Sequence, residues 1–224
     1  MGAELPTGLD VLLVDGQLSA ATGGATFETC NPATEQVLGV AADGTAADMD
    51  AAIGAARRAF DRTTWSTDPA FRAHCLRQLR DALQAEGESL RALTTAEVGA
   101  PAFLTAGPQF DIPVEDLGYW ADLAESYDGW RSDLGDKVSV GIPTHRQVWR
   151  EPAGVVGAIT PWNFPHQINF AKLGPALAAG CTVVLKPAPD TPWCASAVAR
   201  IAAESTDLPA GVLNVVTSSD HSLG

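Results

Sequence analysis

The sequence predicts an α/β protein that contains an incomplete doubly wound parallel sheet, preceded by helices and a small β element. Two observations predict this fold. First, residues 151–224 alternate short apolar runs with segments of helix length, as parallel strands joined by helical crossovers do. Second, the apolar runs are unbroken, which is typical of parallel strands because helices cover both faces of their sheet.

The three apolar runs lie at 154–160, 182–185 and 212–216, and the helix-length segments between them lie at 165–179 and 191–204. Sheets usually contain about five or six strands. The sequence stops soon after the third run, so we expect a sheet that is cut rather than completed. Such a sheet would leave a strand edge unpaired or a face uncovered.

Four amphipathic helices are predicted between residues 45 and 124. Thr45 followed by Asp48 resembles a capping box, which marks the start of the first helix. The expected packed face of this helix carries Met49, Ile53, Ala56 and Phe60. The other three helices are predicted at 69–84, at 88–98 and around 117–124. We expect these apolar faces to pack in the core rather than to bind a ligand.

Short β pieces complete the predicted fold. Two of them lie among the turn signals of the first 45 residues, at 11–14 and 36–40. A β pair is predicted from 137–140 and 146–150, joined around the turn-prone Ile142-Pro143.

The composition argues against several function classes. Hydrophobic residues make up 46% and charged residues 18%, which predicts a folded chain. The net charge of −13 argues against nucleic-acid and anionic-membrane partners, because both need a basic surface. No run approaches the ~20 apolar residues of a membrane span, and the start lacks a signal-peptide pattern, so we expect a cytoplasmic protein. The four cysteines form no Cys-x-x-Cys pair and no His cluster stands beside them, so we predict no metal site.

The longest motif is EPAGVVGAITPWNFP, which occupies residues 151–165 and combines an apolar strand with a proline-bounded turn. Further motifs follow in order: KLGPALAAG from Lys172, TVVLKP from Thr182, Thr191-Pro192, and LPAGVLNVV from Leu208. Together with Asn31-Pro-Ala-Thr, they closely resemble the aldehyde dehydrogenase superfamily over nearly the whole chain. Several ordered motifs that agree carry more weight than one glycine pattern.

The resemblance implies an oxidoreductase that converts an aldehyde to a carboxylic acid with NAD or NADP as cofactor. It also implies that residues 151–224 form the first half of an NAD(P)-binding, Rossmann-like domain. Residues 1–150 would then be a helical segment with β pieces that contributes to the cofactor and oligomerisation domains. A complete enzyme of this family is expected to be a homo-oligomer.

Asn163 is the candidate catalytic residue. It follows the carboxyl end of an apolar strand, where open α/β sheets place their ligands, and its amide offers two N–H donors. The resemblance implies that Asn163 is half of an oxyanion hole, a donor whose loss typically costs ~3–4 kcal/mol of transition-state stabilisation. From the residues alone, Asn163 could equally cap the helix that begins near Pro165.

The cofactor residues implied by the resemblance surround Asn163. Lys186, at the end of the second apolar run, would bond ribose hydroxyls, and Trp162 would lie at the cofactor cleft. Backbone contacts would come from Ile159, Thr160 and Pro161, and the substrate channel would be lined by Phe164 and His166. Many NAD-preferring members have a Glu where this chain has Pro189, which is followed by Asp190, so the choice between NAD and NADP stays open.

The family's nucleophilic Cys and general-base Glu match no residue of this sequence. Cys181 and Cys194 lack the nucleophile motif and are expected to be buried thiols. We therefore predict a truncated form that is inactive alone, although its family oxidises aldehydes through a Cys thiohemiacetal. The alternative is a non-catalytic module that binds nucleotide or pairs with a larger relative. A reductase with a Gly-x-Gly-x-x-Gly turn is a weaker alternative, because Thr-Pro-Trp-Asn follows Ile159 instead.

Overall fold

The computed structural model describes residues 4–224 and contains nine strands and seven α-helices within them. The strands are β1 (Leu12–Val14), β2 (Gln17–Ser19), β3 (Thr26–Cys30), β4 (Val37–Ala42), β5 (Arg131–Ser139), β6 (Ile142–Trp149), β7 (Val155–Ile159), β8 (Thr182–Lys186) and β9 (Leu213–Val215). The helices are α1 (Ala46–Arg62), α2 (Pro69–Ala85), α3 (Gly87–Val98), α4 (Ala102–Thr105), α5 (Asp111–Ser126), α6 (Pro165–Ala178) and α7 (Pro192–Ser205).

The parallel part of the main sheet confirms the predicted α/β class. Strands β7, β8 and β9 pair in parallel, with α6 and α7 as the crossovers between them. The register runs from Val155 opposite Thr182 to Ile159 opposite Lys186, so β7 and β8 end side by side. All five residues of the central strand β8 are buried, as an apolar parallel strand requires.

The sheet differs from the prediction at both edges. Of the residues in β7 only Ala158 is buried, so the expectation of a fully buried strand is wrong there. The reason is position: within the described part of the chain β7 pairs on one side only, with β8. At the other edge the antiparallel β1–β2 hairpin extends the sheet to five strands, through the pairing of Leu13 with Val215.

The first helix begins as predicted, but its packed face agrees with the prediction only in part, since Ala56 is buried and Met49 packs against the core. The Thr45–Asp48 capping box is present. Ile53, expected in the core, is 46% exposed, so that part of the prediction is wrong. The buried face consists of small side chains: Ala52, Ala55, Ala56 and Ala59. Alanine lets α1 approach the sheet closely, and the carbonyl of Ala56 accepts a hydrogen bond from Thr182 at the start of β8 (3.0 Å).

Helices α2, α3 and α5 pack with the crossover helices in one continuous hydrophobic core. The leucines predicted to face inward from α2 (Leu76, Leu79 and Leu83) are all buried. Helix α3 ends at Gly99, which adopts the left-handed conformation (φ 72°) that favours glycine. No helix of the described residues is long and apolar enough to cross a membrane.

Strands β5 and β6 form a two-stranded ribbon whose residues are mostly exposed. The predicted pair exists, but the predicted turn is wrong. The chain reverses at Val140-Gly141, both with positive φ, and Pro143 lies inside β6 opposite Val138. Proline is tolerated there because a strand of a two-stranded ribbon has a free edge.

Candidate cofactor and oxyanion site

The candidate residues gather where β7 and β8 end. Ile159 and Lys186 are register partners at the last position of the two strands, and the backbone N–H of Thr160 donates to the carbonyl of Lys186 (3.2 Å). The two strand ends therefore bring residues 159–164 and 186–191 to one edge of the sheet. This is the edge at which open α/β sheets bind ligands.

Lys186 is a buried cation at this edge. Lys186 is only 4% exposed, and its ammonium group makes no hydrogen bond within the described residues. Burial lowers the pKa of Lys186, and the nearby carboxylate of Asp220 acts in the opposite direction. The side chain is thus buried along its length while its ammonium group still reaches the surface, where it fits a ligand that supplies hydroxyl or anionic oxygens.

The loop after β7 presents Asn163 to solvent. Pro161, Trp162 and Asn163 are exposed, Trp162 by 56%, whereas Thr160 is buried. The side chain of Asn163 forms no hydrogen bond in the described part of the chain, and helix α6 has Phe164 as its N-cap without a side-chain capping bond. The alternative reading, in which Asn163 caps α6, is therefore wrong. Its amide N–H groups are free to donate to a ligand.

The backbone of Asn163 is held by a residue that sequence reasoning missed. The side-chain amide of Gln109 donates to the carbonyl oxygen of Asn163 (3.0 Å) and is itself buried. Gln109 precedes α5, 54 positions away in sequence, and no sequence pattern marks it. This bond ties the loop after β7 to the segment before α5, and it leaves the side chain of Asn163 without a hydrogen bond.

Two further observations bear on whether a dinucleotide fits this edge. The hydroxyl of Thr160 is buried and has no partner among the described residues, so Thr160 offers its backbone rather than its side chain to a ligand at this edge. Gly224 lies against both strand ends, because a Cβ placed on it would come within 2.9 Å of Ile159 and 3.4 Å of Lys186. The Lys186 ammonium group and the exposed apolar side chains of Ile159 and Trp162 fit a ligand with ribose hydroxyls and flat rings.

The remaining predicted residues lie on either side of this edge. Phe164 is half-buried, and Pro189 is half-buried in the loop between β8 and α7. His166 is fully buried, in edge contact with Phe110 and stacked on Phe170 at centroid distances of 5.1 and 5.9 Å. Burial lowers the pKa of His166 to about 3, so its ring is neutral. A place for Phe164 and His166 on a substrate path stays a prediction.

The cysteines behave as buried thiols where that was expected. Cys181 and Cys194 are both buried. Burial, together with the neighbouring Glu97, raises the pKa of Cys194 well above its usual value, which keeps it a thiol. The residues that the structure describes contain no cluster of three or more side chains suited to holding a metal ion.

The geometry defines an open α/β domain with a candidate ligand site at the carboxyl ends of its parallel strands. Comparison with known proteins identifies it further. The model of the aldehyde dehydrogenase family matches residues 19–224, and the chain belongs to this family.

Similar proteins agree with this assignment. The chain is 39% identical over 216 residues to the NADP/NAD-dependent aldehyde dehydrogenase PuuC of Escherichia coli, covering 95% of this chain and 42% of that protein. It is 37% identical over 219 residues to an aminoacetaldehyde dehydrogenase of Pseudomonas aeruginosa, covering 94% and 41%. An NAD+ complex of an aldehyde dehydrogenase from Bacillus cereus superposes with a TM-score of 0.82 at 37% identity, covering 93% and 41%. The chain thus spans about two fifths of the length of these relatives and corresponds to their N-terminal portion.

Proposed function

We propose that this chain supplies the nucleotide edge and the oxyanion donor of an NAD(P)-dependent aldehyde dehydrogenase. The observation that carries the proposal is the strand-end pair Ile159–Lys186, with Asn163 exposed and unengaged beside it. Residues 151–224 would form the first half of the cofactor-binding domain, and residues 1–150 would support it. Family membership and the NAD+ complex of a relative support this assignment.

Four groups of this chain would hold the cofactor. The ammonium of Lys186 would hydrogen-bond its ribose hydroxyls, and the backbone of residues 159–161 would contact it. Ile159 and Trp162 would line its cleft with apolar surface. Bound NAD(P)+ supplies the acceptor for a hydride from the substrate. Pro189 places no carboxylate at the position where one would repel a 2′-phosphate, and the E. coli relative is described as NADP/NAD-dependent. Both NAD and NADP are therefore proposed cofactors.

Asn163 would act on the aldehyde itself. When a cysteine thiolate adds to the carbonyl carbon to form a thiohemiacetal, negative charge develops on the carbonyl oxygen. The Asn163 amide would donate a hydrogen bond to that oxygen, and because Gln109 holds the loop in advance, little reorganisation accompanies the reaction. Cys75, Cys181 and Cys194 are buried, and the exposed Cys30 lies on β3 and matches no nucleophile of the family, so none of them is proposed as that nucleophile. Residues 1–224 alone would therefore bind nucleotide without oxidising aldehyde.

A second candidate function is a non-catalytic module that binds nucleotide or pairs with another copy or a larger relative. The specific observation in its favour is the β5–β6 ribbon, which exposes apolar side chains at Leu134, Val138, Val140 and Ile142. Two-stranded ribbons are marginally stable in isolation, so contact with another subunit would stabilise this one. In a complete enzyme the same surface would support the homo-oligomer.

The test compares the 224-residue chain with a chimera in which it is joined to the remaining C-terminal part of the E. coli relative. Aldehyde-dependent reduction of NAD+ and NADP+ is measured for both proteins. The proposal predicts turnover by the chimera and none by the chain alone. Turnover by the chain alone would refute the assignment of the nucleophile to residues outside it. A folded chimera that binds nucleotide but never turns over would favour the non-catalytic module.

A further inference from the structure

Glu97, near the end of α3, is a buried carboxylate that the chemistry described above does not use. It is 2% exposed. Its oxygens accept hydrogen bonds from the backbone N–H groups of Trp193 (2.7 Å) and Cys194 (2.8 Å) and from the hydroxyl of Thr29 (3.2 Å). In the described part of the chain it forms no ion pair with Lys, Arg or His. One carboxylate thus joins β3, α3 and the start of α7.

Helix α7 depends on Glu97 for its capping. The first backbone N–H groups of a helix have no partner within the helix and need an external acceptor. Thr191 occupies the N-cap position, but its side chain makes no capping bond and its hydroxyl has no partner among the described residues. Glu97 takes that role from 96 positions away in sequence. Its negative charge also suits the positive end of the helix dipole.

The segment between the candidate site and α7 is short and stiff. Only residues 187–191 separate Lys186, the last residue of β8, from Pro192, the first residue of α7. Two of these five are prolines, Pro187 and Pro189, and the N–H of Thr191 donates to the carbonyl of Ala188 (3.2 Å). Proline fixes φ, so the path of the segment follows from where its two ends are held. The strand holds one end, and Glu97 holds the other.

We propose that Glu97 is a positioning residue for nucleotide binding: by fixing the start of α7 it sets the path of residues 187–191 beside Lys186. This inference rests on the proposed nucleotide site. Glu97 touches no ligand atom, and its effect passes through the backbone of Trp193 and Cys194. Movement of the first turn of α7 would break two hydrogen bonds to a buried carboxyl group, which is more costly than breaking bonds between neutral groups.

Binding of NAD+ to the 224-residue chain, measured by calorimetry, tests the proposal. Glu97→Gln keeps the size of the side chain but replaces one acceptor oxygen with an NH2 group. It should weaken NAD+ binding by about tenfold, the effect of one such lost bond, and speed hydrogen exchange at the amides of Trp193 and Cys194. Glu86→Gln is the matched control, because Glu86 pairs with Arg200 two turns further along α7. It should leave the affinity within about twofold.

A double-mutant cycle separates positioning from a general structural role. Lys186→Ala should weaken NAD+ binding by itself. If Glu97 acts through the loop beside Lys186, the double variant Lys186→Ala with Glu97→Gln loses clearly less affinity than the product of the two single effects. Independent, multiplicative losses would overturn the proposal. A folded Glu97→Gln protein with unchanged affinity would overturn it as well, while the effect of Lys186→Ala would still support the nucleotide site.

A milder variant covers the case in which Glu97→Gln does not fold. Thr29→Val removes only the hydroxyl that donates to Glu97 and preserves the volume of the side chain. It should weaken NAD+ binding by about two- to threefold, and an unchanged affinity would contradict the proposal. Absence of NAD+ binding by both the unaltered chain and the chimera would refute the nucleotide site and this inference together.

Discussion

The two crossover helices, α6 and α7, have similar sequence features at their N-termini, but the surroundings of the two N-termini differ. Both α6 and α7 carry a proline at their first position, and neither N-cap residue makes a side-chain capping bond. At the start of α7 the buried carboxylate of Glu97 takes the free N–H groups. At the start of α6 no such carboxylate is present in the described residues, and Asn163 faces solvent just before it.

This difference suggests a division of labour along one sheet edge. At the start of α7, Glu97 accepts the hydrogen bonds of the free N–H groups, and the loop before the helix is held in place. The α6 start keeps its donors for a ligand, while Gln109 fixes the loop from behind through the Asn163 carbonyl. The same strand-to-helix unit is therefore closed by an internal acceptor in one copy and left open in the next, where we propose the oxyanion donor. Five substitutions sharpen or break this comparison.

The largest effect is expected from Asn163→Ala in the chimera that contains a complete catalytic domain. Removing one oxyanion donor should lower kcat about 10²–10³-fold, because the charge on the carbonyl oxygen would lose its neutral donor. Since Asn163 is exposed and its side chain bonds nothing in the described residues, the melting temperature should stay nearly unchanged. Unchanged kcat would contradict the oxyanion role.

Glu97→Ala should destabilise the fold next most strongly. It leaves two backbone N–H groups of α7 buried without an acceptor, at a cost of about 2–4 kcal/mol of unfolding free energy. Glu88→Ala, which removes an exposed carboxylate from the same helix α3, should cost less than about 0.5 kcal/mol. Urea unfolding of both variants gives the comparison, and equal costs would show that Glu97 is not the cap of α7.

His166 should make the fold sensitive to acid. Its pKa is about 3 when folded, against an ordinary value of 6.5, so between these values the unfolded chain binds a proton that the folded chain does not. Stability from this residue is therefore lost as the pH falls below about 6.5, by about 1.4 kcal/mol per pH unit. The stability of His166→Phe relative to the unaltered chain should be about 2 kcal/mol more favourable at about pH 5 than at about pH 7.5. A difference independent of pH would contradict burial of this ring.

Glu97 should show the opposite sign in the same experiment. Desolvation raises its pKa from 4.5 to about 7 despite the hydrogen bonds that it accepts. The folded chain then holds a proton that the unfolded chain releases, so this contribution to stability is lost as the pH rises from about 4.5 to 7. The free energy of unfolding that Glu97→Gln loses relative to the unaltered chain should therefore be larger at about pH 5 than at about pH 7.5.

The smallest effect is expected from Gln109→Met, which keeps the bulk of the side chain and removes its hydrogen bond to Asn163. The loss should be about 1 kcal/mol of unfolding free energy. In the chimera, kcat should fall while the KM for cofactor stays constant, because the oxyanion donor and not the nucleotide edge loses its support. An unchanged kcat would show that Gln109 does not position Asn163.

The sequence predicted the structure correctly where the apolar pattern of a segment matches its place inside the sheet. Strand β8 is apolar and central, so its pattern predicted both its existence and its burial. The gathering of Ile159 and Lys186 followed from the rule that parallel strands end at one edge. The prediction failed where the neighbouring element of the fold decides which residues are buried. Ile53 has the right spacing for a packed face, but the close approach of α1 to the sheet selects its alanines instead.

Contacts between residues far apart in the sequence could not be predicted either. Glu97 and Gln109 act on backbone atoms 96 and 54 positions away, and nothing in their local sequence distinguishes them from surface residues. Strand β1 was predicted from residues 11–14 but β2 was not, and three-residue strands do not reveal which sheet they join. Here tertiary packing supplies information that periodicity lacks.

The most direct test of the nucleotide site is an NMR titration of the isotope-labelled 224-residue chain with NAD+. The amides of residues 159–164 and 186–191 should shift together and saturate with one dissociation constant, and Lys186→Ala should weaken that constant. Shifts confined to any other surface, or no shifts at all, would contradict the placement of the cofactor at the ends of β7 and β8.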